Sequence, residues 1–302
     1  MGIDPTFQQL RVFLVVAEEL HFGRAAARLH LAQPPVSRHV KALEAVVGAS
    51  LFDRTARSVT LTPAGALLRR EAEAMLSRWD STTDRARDLA AAKSRTLRLG
   101  CVEAMAVDAL PAAVARMRAL RRDVVWELSE GNTSELLDGF AAARFDSVLV
   151  RGPIPVGAGV DSVVVHNDEL VAALPAGHRL AAPEIPLDTL AGEDFIVYNR
   201  RARSGLLPAV LAACGQAGFA PRIRYEALGT QLVLGLVAAG DGVSLVSGVA
   251  ARMPHRGVRF ARLVGRPAIS PIVLAWHPDV PTAVMAELAE LLHIAAGDGQ
   301  GG

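Results

Sequence analysis

The chain has 302 residues, of which 51% are hydrophobic and 21% are charged, and its formal net charge is +1. This composition excludes a disordered chain and is typical of a folded protein with two or three modest domains. The sequence contains neither a membrane span of about 18 uninterrupted apolar residues nor a secretory signal, so we expect a cytoplasmic protein.

The basic residues are concentrated near the N-terminus. Residues 1–95 hold 14 Lys and Arg against 10 Asp and Glu, a balance of +4, and the rest hold 18 against 21, a balance of −3. A local basic excess favours a nucleic-acid partner. Cys101 and Cys214 lie far apart, so two buried reduced thiols are expected, with a redox-sensing pair as the alternative.

Three helices are predicted in the first 50 residues. The first covers about Phe7 to Leu20, the second Arg24 to His30, and the third opens with Gln33 and two prolines. The inner face of the first helix consists of Leu10, Phe13, Leu14 and Ala17. The three helices would form a small bundle.

The third helix has two unlike faces. Its apolar stripe consists of Val36, Val40, Leu43 and Val47. Its exposed N-terminus and its other face consist of Gln33, Pro34, Pro35, Ser37, Arg38 and Lys41. Arg and Gln bond base edges in the major groove, and Ser and Lys hold phosphates, so this face predicts a DNA-binding helix. An ordinary amphipathic surface helix is the alternative.

A wing and a long helix follow. Residues 51–61 predict a two-stranded wing on which Arg54 and Arg57 would contact phosphates, with solvated surface charge as the alternative. The long helix is predicted over residues 62–92, with Thr62 as its cap and Pro63 in its first turn. Its apolar positions follow a heptad pattern and are Leu68, Ala72, Met75, Trp79, Thr82, Ala86 and Leu89. The pattern predicts a dimer contact through Leu68, Met75, Trp79 and Leu89, and packing on its own domain is the alternative.

The spacing of residues 22–54 resembles the signature of the LysR-type transcriptional regulators. The matching residues are Phe22, Ala25, Ala26, Leu29, Gln33, Pro34, Ser37, Arg38, Val40, Leu43, Glu44, Val47, Gly48, Leu51, Phe52 and Arg54. One departure is Ala32, where the family usually carries a Ser that would cap the helix, a loss of about 1 kcal/mol. The resemblance implies a winged helix-turn-helix in dimers that assemble into tetramers.

From Thr96 onward, short β runs alternate with helices, which predicts an α/β architecture with a largely parallel sheet. The stretches 97–100, 130–137 and 235–246 resemble the effector domain of the same family, which has the periplasmic-binding-protein architecture. Two crossing strands, near Val163–Val165 and Gly265–Ile269, would link two α/β subdomains. The cleft between the subdomains would be the ligand site.

The predicted organisation has three parts. Residues 1–61 form an all-α winged helix-turn-helix, residues 62–94 a linker and dimerisation helix, and residues 95–302 an effector-binding domain. Within the last part, subdomain I comprises 95–165 and 268–302, and subdomain II comprises 166–267.

Helix N-termini and strand ends facing the cleft would bind an anionic effector. The predicted effector-binding residues are Ala104, Met105, Thr133, Arg151, Tyr198, Asn199 and Arg203. The resemblance implies that Thr133 contacts an acidic effector and that Ala104 replaces a Ser often found in sensors of aromatic acids. Arg151 would bind an anion or, equally well, pair with a neighbouring carboxylate. The arginines after Tyr198 would bind a carboxylate or stay solvated.

The sequence shows no histidine spacing for a metal, no Ser-His-Asp set and no dinucleotide loop, so no cofactor and no enzyme are expected. The predicted function is that of a LysR-type regulator that binds double-stranded DNA and senses a small carboxylate-bearing metabolite. One alternative is a DNA-binding architectural protein whose C-terminal domain serves only oligomerisation. A solute-binding protein would need a secretion signal, and an enzyme would need a catalytic set.

Overall fold

A computed structural model of the chain describes residues 5–54, 59–90, 95–107, 109–154, 160–199, 205–265 and 268–298. The chain divides into two compact units. The N-terminal unit comprises residues 1–91 together with 141–144, and the C-terminal unit comprises residues 92–140 and 145–302. No helix within the described ranges is long and apolar enough to cross a membrane.

The N-terminal unit is a winged helix-turn-helix, as predicted. Its elements are α1 (Phe7–Glu19), α2 (Phe22–Arg28), α3 (Gln33–Val47), β1 (Phe52–Arg54), β2 (Val59–Leu61) and α4 (Pro63–Ala90). The two strands are antiparallel and form the wing. Helix α2 begins earlier than the predicted Arg24 because His21 caps it. The His21 Nδ1 atom accepts hydrogen bonds from the backbone N–H groups of Gly23 and Arg24, at 3.0 and 3.1 Å.

The core of the N-terminal unit confirms most of the predicted apolar stripe on α3. Val36, Val40 and Leu43 are fully buried. Val47 is 42% exposed, so its predicted place in the core is wrong. Val47 lies in the last helical turn, before Gly48 ends the helix at a φ of +72°, and the core beyond this point is filled by Leu51 instead.

The C-terminal unit alternates strands and helices. Its helices are α5 (Glu103–Ala106), α6 (Ala109–Leu120), α7 (Thr133–Ala141), α8 (Leu206–Gln216), α9 (Thr230–Ala238) and α10 (Thr282–Asp298). Its strands are β3 (Arg95–Cys101), β4 (Val124–Glu130), β5 (Ser147–Arg151), β6 (Asp161–Pro175), β7 (Glu184–Pro186), β8 (Asp194–Tyr198), β9 (Arg222–Ala227), β10 (Ser244–Ser247), β11 (Val258–Val264) and β12 (Ile269–Trp276). Short 3-10 turns cover Leu187–Leu190 and Gly248–Arg252.

The main sheet is mixed, so the prediction of a largely parallel sheet is wrong. Strand β3 lies between β4 and β5 and is parallel to both. Strand β12 is antiparallel to its neighbours β5 and β6, and β6 is antiparallel to β10 and β11. Strands β8 and β9 form a separate parallel pair. The parallel strands β3, β4 and β5 are the consecutive ones joined by helices α5, α6 and α7, and the direction reverses at β12, which lies between β5 and β6 and is antiparallel to both.

Two hydrophobic cores share this unit, and β6 runs from one to the other. Val165 belongs to the first core and Leu170 to the second. The predicted crossing near Val163–Val165 therefore lies on β6, but the strand passes between the cores a few residues later than predicted. The second crossing lies at the start of β12, a few residues later than predicted, since Ala268 belongs to the second core and Ile272 to the first. The preceding strand β11 ends at Val264. Gly265, with a φ of +102°, ends β11 at this point.

Candidate functional site

The first functional feature is the exposed face of α3. Gln33, Pro34, Arg38 and Lys41 are exposed, and Pro35 and Ser37 are half-buried. Within the described ranges, neither Arg38 nor Lys41 forms an ion pair with a carboxylate. A helix whose opposite side is fully buried thus presents two uncompensated cations to solvent. The wing residues are not described to the same extent: Arg57 lies outside the described residues, and so does the side chain of Arg54.

The second feature is the surface of α4, the predicted dimerisation helix. Leu68 is half-buried and, with Ala72 and Leu76, packs on the core of the N-terminal unit, which is the alternative given for this helix. From Met75 onward, in the fourth turn, the predicted positions whose side chains are described are exposed. Met75 is 53% exposed, and Trp79 is 48% exposed and stacks on Phe7 with ring centroids 4.8 Å apart. The side chain of Leu89 lies outside the described residues.

The third feature is a cavity of about 300 Å³ in the C-terminal unit. It lies where parallel strands end: β3 leads to Glu103, β4 ends at Glu130, β5 ends at Arg151 and β8 ends at Tyr198. Strand ends of this kind are the usual ligand site of open α/β sheets. Its volume is at the lower end of the range for small-molecule pockets.

Four predicted effector-binding residues line this cavity: Ala104, Thr133, Arg151 and Tyr198. Thr133 is the first residue of α7 and is 8% exposed. Its hydroxyl and its backbone N–H form no hydrogen bond with any described residue. Ala104, as expected, offers no hydroxyl. The Tyr198 hydroxyl lies 3.3 Å from Thr230 Oγ1, and burial raises the pKa of Tyr198 to about 12.

The other three predicted effector-binding residues are not found among the described residues that line the cavity. Met105 is 2% exposed and packs in the first core, on the buried side of the single-turn helix α5. Asn199 does not line the cavity, and its backbone N–H donates to the carbonyl of Ala227 at 2.9 Å, which continues the pairing of β8 with β9. Arg203 lies outside the described residues.

Arg151 forms a buried ion pair, which is the alternative the sequence left open. Its Nη1 atom donates to Asp168 Oδ2 at 2.7 Å, and the side chains are 8% and 1% exposed. Gly205 at the start of α8 lies against Arg151, because an added Cβ there would fall 2.4 Å from Arg151 Cβ. Asp168 therefore fixes the guanidinium of Arg151, and Gly205 lies close to the base of the same side chain.

Sequence reasoning missed several lining residues. Glu103, Glu130, Glu135, Thr230 and Ser247 all contribute polar groups to the cavity. Each lies at a strand end or in the first turn of a helix. A search for charged residues at the carboxyl ends of the predicted strands would have found Glu103 and Glu130.

Both cysteines are buried and free, as predicted. Burial raises the pKa of the Cys101 thiol to about 11, and the nearby Glu130 carboxylate contributes to this shift. Burial likewise raises the pKa of the Cys214 thiol to about 11. The two residues belong to different hydrophobic cores, Cys101 to the first and Cys214 to the second.

Two family models match the chain. Residues 7–66 match the bacterial regulatory helix-turn-helix protein model of the lysR family, and residues 90–296 match the LysR substrate binding domain. Together they cover most of the sequence. The chain therefore belongs to the family of LysR-type regulators.

Named relatives agree with this assignment. The chain is 34% identical over 281 residues to the uncharacterized HTH-type transcriptional regulator YnfL of Escherichia coli, covering 91% of this chain and 94% of the relative. It is 32% identical over 290 residues to the HTH-type transcriptional regulator TtuA of Agrobacterium vitis, covering 94% and 95%. Both relatives are transcriptional regulators.

A solved structure with the same fold is that of CbnR, a LysR family transcriptional regulator. It is 25% identical, covers 96% of this chain and 99% of the other, and has a TM-score of 0.76. CbnR has also been solved in complex with its target DNA, with a TM-score of 0.75. The protein is thus a LysR-type DNA-binding transcriptional regulator with an effector-binding domain.

Proposed function

We propose that α3 reads an operator in the major groove through Gln33 and Arg38, while Ser37, Lys41 and the wing residues Arg54 and Arg57 hold phosphates. The observation that carries this proposal is the exposed face of α3, whose cations Arg38 and Lys41 form no ion pair with a described residue, while Val36, Val40 and Leu43 on the other face are fully buried. Arg bonds guanine edges bidentately, and Lys neutralises phosphates. Pro34 and Pro35 fix the start of the helix and contact the DNA backbone.

The regulator acts as a dimer joined through α4, and two dimers assemble into a tetramer. The exposed side chains of Met75 and Trp79 support this part, because large apolar groups on a helix surface mark an interaction site. A symmetric pair of reading helices selects two half-sites, so the operator is pseudo-palindromic. The site of action is the cytoplasm, where bacterial DNA lies.

The C-terminal unit senses a small metabolite that carries a carboxylate. The support is the cavity and, within it, the buried Thr133 hydroxyl and the N-terminal N–H groups of the nine-residue helix α7. Such groups favour an anion. The proposal keeps the three predicted parts: the DNA-binding domain of residues 1–61, the linker helix of residues 62–94 and the effector-binding domain of residues 95–302 with its two subdomains.

The test of DNA binding is a gel-shift titration on the fragment upstream of the protein's own gene. Arg38→Ala is expected to weaken binding about tenfold or more and to relax sequence preference at one position of each half-site. Arg259→Ala removes an exposed arginine on β11 of the C-terminal unit and serves as the control, with unchanged affinity expected. Equal affinity of Arg38→Ala and the unaltered protein would refute the assigned role.

A regulator without any effector, whose C-terminal unit serves only oligomerisation, is the second candidate. It is favoured by Ala104, which lacks the hydroxyl that the resemblance led us to expect. A thermal-shift screen with small carboxylic acids distinguishes the two candidates. If the unit binds an effector, that acid raises the melting temperature of the protein by mass action; if the unit serves only oligomerisation, no small carboxylate shifts it.

A further inference from the structure

The charges around the cavity are mostly negative. Among the lining residues that the structure describes, three carry carboxylates, Glu103, Glu130 and Glu135, and one carries a cation, Arg151. The positive charge of Arg151 is already compensated by its ion pair with Asp168. A ligand with negative charge alone would therefore face uncompensated like charge, which opposes binding.

Glu103 is the carboxylate with the most defined position. It is half-buried at the start of α5, and its Oε2 atom accepts a hydrogen bond from Thr230 Oγ1 at 2.7 Å. Thr230 in turn lies beside the Tyr198 hydroxyl. Glu103 lies beside the first core, whereas Thr230 and Tyr198 lie beside the second core. The hydrogen bond between Glu103 and Thr230 therefore orients the carboxylate across the cavity.

Thr133 is an independent sign that a polar ligand binds here. Its side chain is more than nine-tenths buried and lines the cavity, yet its hydroxyl has no partner among the described residues. Because Thr133 lines the cavity, its hydroxyl is available to form a hydrogen bond with a ligand bound there. The cavity therefore combines a free donor at the N-terminus of α7 with a fixed carboxylate at Glu103.

We infer that the effector carries a cationic nitrogen that binds the Glu103 carboxylate. This inference rests on the proposed function, in which the ligand's carboxylate is held at Thr133 and the N-terminus of α7. The two together define an amino-carboxylate, with an ammonium group at Glu103 and a carboxylate at α7. Glu130, at the end of β4, adds a second negative charge to the lining, whereas the Glu135 carboxylate accepts the backbone N–H of Asn132 at 3.3 Å at the start of α7.

The experiment compares matched ligand series by isothermal titration calorimetry on the full chain. Each amino acid with a single amino and a single carboxyl group is tested beside the acid that lacks the amino group and the amine that lacks the carboxyl group: alanine with propionate and ethylamine, leucine with 4-methylpentanoate and 3-methylbutylamine, phenylalanine with 3-phenylpropionate and phenethylamine, and so on through the amino acids of this kind. We expect at least one amino acid to bind. Loss of the amino group that meets Glu103 should weaken its binding by about tenfold to a hundredfold, as for a charge-assisted hydrogen bond.

The variant Glu103→Gln keeps the size of the side chain and an acceptor for Thr230 but removes the charge. It should lose about tenfold or more in affinity for the amino acid, whereas the deaminated acid should bind at least as tightly as before, because one like charge has been removed. Glu127→Gln, on exposed β4 outside the cavity, is the matched control and should change neither.

The outcomes separate the two ideas. A deaminated acid that binds as tightly as its amino acid overturns the inference and leaves the carboxylate effector standing. An amine that binds as tightly as its amino acid, and loses affinity in Glu103→Gln, supports the inference and refutes the carboxylate site. Binding by none of the three series rejects both. The ligand comparison uses the unaltered chain, so a variant that fails to fold does not affect it.

Discussion

The guanidinium of Arg151 and the carboxylate of Asp168 form an ion pair of 2.7 Å that is almost completely removed from solvent. The second carboxylate oxygen of Asp168 accepts the backbone N–H of Gly248 at 3.1 Å. Asp168 therefore joins the end of β5, the middle of β6 and the 3-10 turn after β10. This turn also carries cavity residues, so the pair supports the wall of the site as well as one of its charges.

Asp168→Ala is expected to destabilise the C-terminal unit by about 3–5 kcal/mol, because it leaves the buried guanidinium of Arg151 without a counter-charge. The measurement is the free energy of unfolding in urea. Glu184→Ala breaks the exposed pair with Arg262, whose side chains are 51% and 76% exposed, and should cost less than about 1 kcal/mol. Equal costs for the two variants would contradict the energetic role of the buried pair.

The start of α3 yields a prediction about helix capping. Ala32 supplies no side-chain cap, as predicted, but the two residues whose N–H groups a serine at this position would bind are Pro34 and Pro35. Proline has no N–H group. Ala32→Ser alone should therefore change the stability of α3 by only a few tenths of a kcal/mol, less than the family resemblance suggested.

Ala32→Ser in a Pro35→Ala background should stabilise α3 by about 1 kcal/mol, since the new N–H at position 35 can then donate to the serine hydroxyl. Hydrogen exchange of the α3 amides in the four variants of this cycle gives the coupling between the two positions. A full gain from Ala32→Ser alone would show that another donor caps the helix.

The exposed apolar side chains of α4 predict the oligomeric state. Met75→Glu places a charge on the proposed dimer surface and should raise the dimer dissociation constant by at least about tenfold, with weaker operator binding as a result. Sedimentation equilibrium measures the change. Ala66→Glu is exposed, lies on the same helix and is nine residues away, half a turn round, so it should leave the dimer intact. A Met75→Glu protein that dimerises normally would place the contact elsewhere.

The two buried cysteines predict a loss of stability at alkaline pH. Their folded pKa values of about 11 exceed the ordinary thiol value of 9.0, so the folded state holds these protons more tightly. The resulting stabilisation is complete below about pH 9 and is lost as the pH rises through 11. Replacing Cys101 and Cys214 by Ala should flatten the fall in unfolding free energy between pH 9 and 11. An unchanged slope would mean that other groups cause it.

The N-terminal half of the molecule could be predicted in detail because its determinants are local. The apolar stripe of α3, the wing and the long helix follow from spacings within residues 22–90, and Val36, Val40 and Leu43 are buried as predicted. The error at Val47 arose because periodicity does not tell where the partner helices end. Leu68 was predicted to lie at the dimer contact and packs on the core of its own unit instead. A heptad pattern does not tell whether the apolar side of a helix packs on a partner chain or on its own domain.

The sequence by itself determined the class of the protein, the two unlike faces of α3 and the general α/β character of its C-terminal unit, because these depend on residues that are neighbours along the chain. Only the tertiary structure decided what surrounds the cavity. Glu103, Arg151 and Thr230 come together from separate strand ends, and Met105, next to a lining residue in sequence, turns into the core. These polar and charged side chains are far apart in the chain. They act on the same ligand only when strands β3, β5 and β6 and helix α9 have packed against one another.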